Sequence, residues 1–150
     1  MAAPRLSCMN RGGLEMSWDV FVQDLPREAK SAAEIPADFR PASIGTRSAI
    51  IEKIKEVFPT ADFSDSSWGR ISGDNWSIEV NIGANEDCGG FALHIRGGDA
   101  AVGAVEAILQ RLHLRALDTQ TGDFFKAGPE SIDSFRKWCA YRDQLLKTKE

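Results

Sequence analysis

The sequence has 150 residues, 43% of them hydrophobic and 27% charged, with a formal net charge of -4. That length suits one domain with a core of its own, needing no disulfide or metal staple. The acidic balance argues against nonspecific binding to nucleic acid or to an anionic membrane, both of which draw on summed positive charge.

Cys8, Cys88 and Cys139 are spread too widely for a Cys-x-x-Cys pair or a zinc-ligand spacing, and they read as free thiols of a reducing cytoplasm. The uncharged run Ala100 to Val105 falls far short of the roughly 20 residues that cross a bilayer. No cofactor motif stands out, so the expectation is no metal and no cofactor.

In chain order, residues 1–15 carry Arg5 and Arg11, but Leu6, Cys8 and Met9 do not build the apolar core of a secretory signal. They read as a disordered extension or a mis-assigned start, and residues 16–150 as a single α+β domain. Trp18 to Gln23 is rich in strand formers and apolar on both faces, which predicts an interior strand. The next segment, 24–45, holds Pro26, Pro36 and Pro41 and so cannot be one regular element, although Arg27 to Glu34 could make a short helix. Loops longer than about 12 to 15 residues tend to be functional or to lie over a domain, which makes this one a candidate cover.

From Thr46 a helix is expected, with Ile50, Ile51, Ile54, Val57 and Phe58 as its apolar stripe and Pro59 as its stop. Three strands follow. The first holds Trp68 to Ser72, the second Trp76 to Ile82 and the third Phe91 to Arg96, with Gly73-Asp74-Asn75 turning the first pair. A second helix opens at Asp99 as N-cap and buries Val102, Val105, Ile108, Leu109 and Leu112. Arg115 to Asp118 is a short strand. A last helix is expected from Gly128-Pro129 towards Lys149, with Ile132, Phe135, Cys139, Leu145 and Leu146 inward. The order gives an α+β fold: a mostly antiparallel sheet of about five strands with a central meander, and helices packed on one face.

The register of that meander sorts its side chains. Trp76, Ile78, Val80 and Ile82 take one face with Ile71, and pairing apolar with apolar sets Phe91, Leu93 and Ile95 against them. Trp68, Arg70, Ser77, Glu79, Asn81, His94 and Arg96 then share the other face. The plain reading of that group is a solvated sheet face, with Arg70 and Glu79 as a cross-strand ion pair. Trp68 is the exception, because Trp and Arg are enriched among residues that dominate interfaces. Trp68, Arg70, Glu79, Asn81, His94 and Arg96 are therefore the candidate binding residues, unless segment 24–45 covers them.

Chemical readings of single motifs are weaker. Glu79 beside His94 would suit a general base, yet no serine nucleophile or metal set completes it, so no catalytic residue is assigned. Cys88 with His94 is disfavoured as a nucleophile pair by Glu86 and Asp87, whose charge opposes a thiolate. Gly97-Gly98-Asp99 lacks the spacing of a phosphate loop and reads as a tight turn. Leu117 to Asp123 departs from the calcium-loop pattern and reads as an Asx-type turn. The basic residues of the last helix, among them Arg136, Lys137 and Arg142, are interrupted by acids and read as an exposed face.

The stretches Met16-Ser-Trp-Asp-Val, Gly97-Gly98-Asp99 and Ala116-Leu-Asp-Thr-Gln-Thr-Gly-Asp-Phe-Phe125 resemble a group of small uncharacterised bacterial proteins over about residues 16–126. The resemblance implies a bacterial, cytoplasmic, single-domain protein and carries over no activity and no catalytic residue. The functional expectation is a small cytoplasmic protein-interaction domain whose partner is another protein, in its specific form an immunity-type protein that binds and neutralises a toxin. The alternative is a small enzyme or ligand-binding domain with a site around Glu79, His94 and Arg96 beneath the 24–45 loop.

Overall fold

Strict alternation in Trp18–Gln23 (β1) puts Trp18, Val20 and Val22 wholly out of solvent and leaves Asp19, Phe21 and Gln23 on the opposite side. The computed structural model, which describes residues 18–97, 99–119, 121–125, 140 and 144, places this strand near the middle of an antiparallel sheet. The other strands are Gly45–Thr46 (β2), Asp62–Asp65 (β3), Trp68–Gly73 (β4), Trp76–Asn81 (β5), Asp87–Cys88 (β6), Phe91–Gly97 (β7), Arg115–Asp118 (β8) and Asp123–Phe124 (β9). Seven of them form one sheet among the described residues, in the order β3-β4-β5-β7-β1-β8-β9, and β2 pairs with β6 in a small ribbon. The sheet is thus wider than the expected five strands. The additions are β3 and β9, at its two edges.

Two helices, Arg47–Val57 (α1) and Ala100–Leu112 (α2), complete the described architecture. Thr46 caps α1 through its hydroxyl, which accepts the Ala49 N–H at 3.1 Å. Ile50 and Ile54 of α1, with Val102, Val105 and Ile108 of α2, pack into one core with Val20, Ile78, Val80, Leu93 and Ile95. That core lies on one face of the sheet, as the helix stripes require. Its side chains drive the fold, since fully burying each Val, Leu or Ile contributes about 1.5 to 3 kcal/mol before entropy is set against it.

The meander has the expected register: Trp68 stands opposite Asn81, Arg70 opposite Glu79 and Ile71 opposite Ile78, while Ile78 meets Ile95, Glu79 meets His94 and Val80 meets Leu93. Asp74 and Asn75 make the two-residue turn between β4 and β5, with Asn75 in the left-handed region at φ 65°. Trp76 is half-buried on the core side and sets its indole edge-on to Phe58, with ring centroids 6.4 Å apart.

Three expectations change. Asp99 has helical backbone angles and makes no side-chain cap bond, so α2 begins without the expected N-cap. The stretch 27–34 contains a single 3-10 turn, Ala32–Glu34, in place of a helix. Asp118 ends β8 as expected, and it is on the core face, 3% exposed, where its Oδ1 accepts the Trp18 indole N–H at 2.6 Å. Finally, segment 24–39 lies at the β8–β9 end of the sheet, where Leu25 and Ala29 are buried with Phe124, and Trp68 remains 41% exposed. Residues 1–15 and the expected last helix, with Cys8 and Cys139, lie outside the described residues apart from Ala140 and Gln144.

Gly97 ends β7 at φ 108°, and a Cβ there would collide with the Asn75 carbonyl and the Trp76 backbone. Gly97→Ala is therefore expected to destabilise the protein by more than about 1 kcal/mol, read as a lower urea midpoint at an unchanged slope.

Candidate functional site

Cross-strand rows on the face away from the helices assemble the site. In one row Trp68, Asn81, Ala92 and Phe21 stand side by side on β4, β5, β7 and β1. In the next are Arg70, Glu79, His94 and Asp19, and in a third Ser72, Ser77 and Arg96. All six expected binding residues therefore share one face.

Their contacts differ from the simplest pairing. Glu79 binds Arg96 rather than Arg70: Arg96 Nη1 donates to Glu79 Oε2 at 3.0 Å, and the Trp68 indole N–H donates to Glu79 Oε1 at 3.2 Å. With both carboxylate oxygens engaged, the expected Arg70–Glu79 ion pair does not form. Arg70 is exposed and makes no hydrogen bond or ion pair among the described residues. Both side chains of the Glu79–Arg96 pair keep about a quarter or less of their surface in water, 22% and 24%. Shielding on that scale makes the pair stronger than a freely solvated one, and the two oxygens fix Trp68 and Arg96 relative to each other.

His94 is likewise not bonded to its neighbour Glu79. Its Nδ1 lies 2.8 Å from Asp19 Oδ1, on the strand at its other side. The Trp68 indole stacks on the imidazole with ring centroids 5.5 Å apart and planes 15° from parallel. The other ring nitrogen, Nε2, is buried without a hydrogen-bond partner. A carboxylate that orients an imidazole in this way favours one tautomer. It leaves Nε2 as the atom with unused hydrogen-bonding capacity, beneath the stacked ring.

Asp19 and Phe21 are the site residues that reading along the sequence missed. Apolar residues on both faces of β1 suggested an interior strand, which it is, but did not reveal that Phe21 is 48% exposed. The alternation that buries Trp18, Val20 and Val22 was the available signal, but it needs β1 to be known as the neighbour of β7.

Elsewhere the chemistry is quieter. Cys88 is buried, its thiol donates to the Gly90 carbonyl at 3.2 Å, and burial, followed by the Asp87 charge, pushes its pKa up. No group of three metal-binding side chains gathers among the described residues. No helix among them is long and apolar enough to cross a membrane.

No family model, curated protein or solved structure matches this chain.

A thiol whose pKa is raised by folding stabilises the protein fully below the ordinary thiol value and loses that contribution as pH rises through the folded value. Wild-type stability is accordingly expected to fall, relative to Cys88→Ala, as pH climbs past about 8.5. Denaturant midpoints for the two proteins across that range measure the difference.

Proposed function

We propose that this chain is a small cytoplasmic protein-interaction domain of the immunity type, which neutralises a toxin by covering it with the open sheet face. One observation carries the reading. Trp68 and Phe21 are the large hydrophobic side chains left exposed among the described residues, at 41% and 48%, and they lie in the same cross-strand row.

Three strand spacings separate them, about 14 Å. A partner touching both must span the row and would cover Ala92 and Asn81 between them. Exposed Trp beside an uncommitted arginine is the composition that dominates protein interfaces, and Arg70 supplies that arginine. Glu79 is already bonded to Arg96 and His94 to Asp19, so docking does not have to order those groups first. The net charge of -4 favours a basic partner through faster encounter.

A second reading, a small enzyme or ligand-binding domain using Glu79, His94 and Arg96, draws on the Asp19 contact to His94 Nδ1 and the unpartnered Nε2. It requires the Trp68 ring to swing aside before a substrate can reach that nitrogen.

The test uses the full chain as bait in lysate of the source cell, followed by titration of each purified partner. Trp68→Ala and Phe21→Ser are each expected to weaken binding by about 2 kcal/mol, roughly 30-fold, and to restore the partner's toxicity. Retention of every partner at full affinity by the double variant would sink the sheet-face reading. Catalysis abolished by His94→Gln with partner binding intact would favour the second.

A further inference from the structure

At the other end of the same face, the segment after β1 is shaped by side chains of the sheet. Arg115 Nη1 donates to the carbonyls of Pro26 at 2.6 Å and Ala29 at 2.8 Å, while its guanidinium lies 3.6 Å from the centre of the Phe124 ring. Asp123 Oδ1 accepts the Ala32 backbone N–H at 3.0 Å. With a longer bond from Arg115 to the Arg27 carbonyl at 3.5 Å, the segment is pinned at four backbone positions, and its regular structure is the single 3-10 turn Ala32–Glu34. Along it runs an open pocket of about 440 Å³.

That volume lies within the range of small-ligand pockets, about 300 to 1,000 Å³. Leu25, Pro26, Ala29, Pro36 and Phe39 supply apolar lining, and Leu25 and Ala29 are buried in their own small cluster with Phe124. The charged lining is unbalanced: three carboxylates, on Asp24, Glu28 and Glu34, stand against the single guanidinium of Arg27. Arg27 is already tied to the His113 carbonyl at 3.2 Å. Glu34 gives one carboxylate oxygen to the Lys30 N–H, whereas Asp24 and Glu28 make no side-chain hydrogen bond or ion pair among the described residues. Apolar walls under an acidic rim reject anions and leave a fully polar cation poorly matched.

We propose that this pocket binds a guanidinium group carried on an apolar stem, either on a free alkylguanidinium or as an arginine side chain of a polypeptide. The stem packs on Phe39 and the prolines, and the cation meets the carboxylates at the mouth. The site is separate from Trp68 and His94 and stands whether or not the sheet face binds a protein.

The test follows backbone amides of Leu25, Ala29 and Phe39 in the 15N-labelled full chain. The probes are n-butylguanidinium, Nα-acetyl-arginine methylamide and the neutral 1-pentanol. Saturable shifts with both cations and none with pentanol are expected. Glu28→Gln with Glu34→Gln should weaken the cations about five-fold, as two partly solvated ion pairs would. The tighter of the two cations identifies the source as a free alkylguanidinium or a polypeptide side chain. Arg115→Met should abolish the shifts while amides of His94 and Glu79 keep their positions, which separates loss of the pocket from loss of the fold. Pentanol binding as tightly as the cations, no saturable shift with either cation, or unchanged affinity in the double variant would overturn the assignment.

Discussion

The double pairing of β7 is the constraint on which the rest of the structure depends. This strand is bonded to β5 along one edge and to β1 along the other, so its register is fixed twice over. Side chains alternate strictly along a strand, and a slip by one residue would drive His94 and Arg96 into the helix-covered core and push Leu93 and Ile95 into water. Neither exchange is tolerable. The same alternation that buries Leu93 and Ile95 beneath α2 therefore delivers His94 and Arg96 to the open side, where β1 and β5 hold their partners ready.

The polar groups of that open side form a connected set. Glu79 joins Trp68 to Arg96, Trp68 lies on His94, and His94 reaches Asp19. Each contact restrains a side chain that would otherwise sample several rotamers, and ordering such a side chain on binding costs about 0.5 to 1.5 kcal/mol. A surface whose rotamers are already fixed presents its aromatic groups at lower cost to whatever docks there. Phe21 and Arg70 stand outside this set and supply its uncommitted apolar and charged groups.

Much of this was legible in the sequence wherever the determining contacts are local. The alternation of Trp76, Ile78 and Val80, the turn at Asp74-Asn75 and the stripe ending at Phe58 fixed the meander, its facing and α1. Long-range partners were the part that pattern could not supply. His94 is bonded to a residue 75 positions away, and Asp118 to one 100 positions away. Both depend on β1 lying between β7 and β8, which no spacing along the chain announces. The edge strands were missed for a different reason. Asp62–Asp65 is polar and mostly exposed, with Asp62 and Asp65 each bonded to the serine two residues on, so it carries a turn signature as much as a strand one. The path of segment 24–39 rests on Arg115, whose role in a strand gave no sign that it would grip a distant backbone.

That grip acts on backbone alone. Arg115 holds carbonyl oxygens, which every residue possesses, so its grip on the 26–29 bend does not read the side chains there, while Leu25 and Ala29 hold the bend from below by packing on Phe124. Glu28 makes no side-chain bond there, so substituting it changes what the bend displays without touching that anchor, whereas Arg27 adds a tie of its own to the His113 carbonyl. The sheet supplies a grip on the backbone, and the exposed side chains of the bend are left to set what that surface displays.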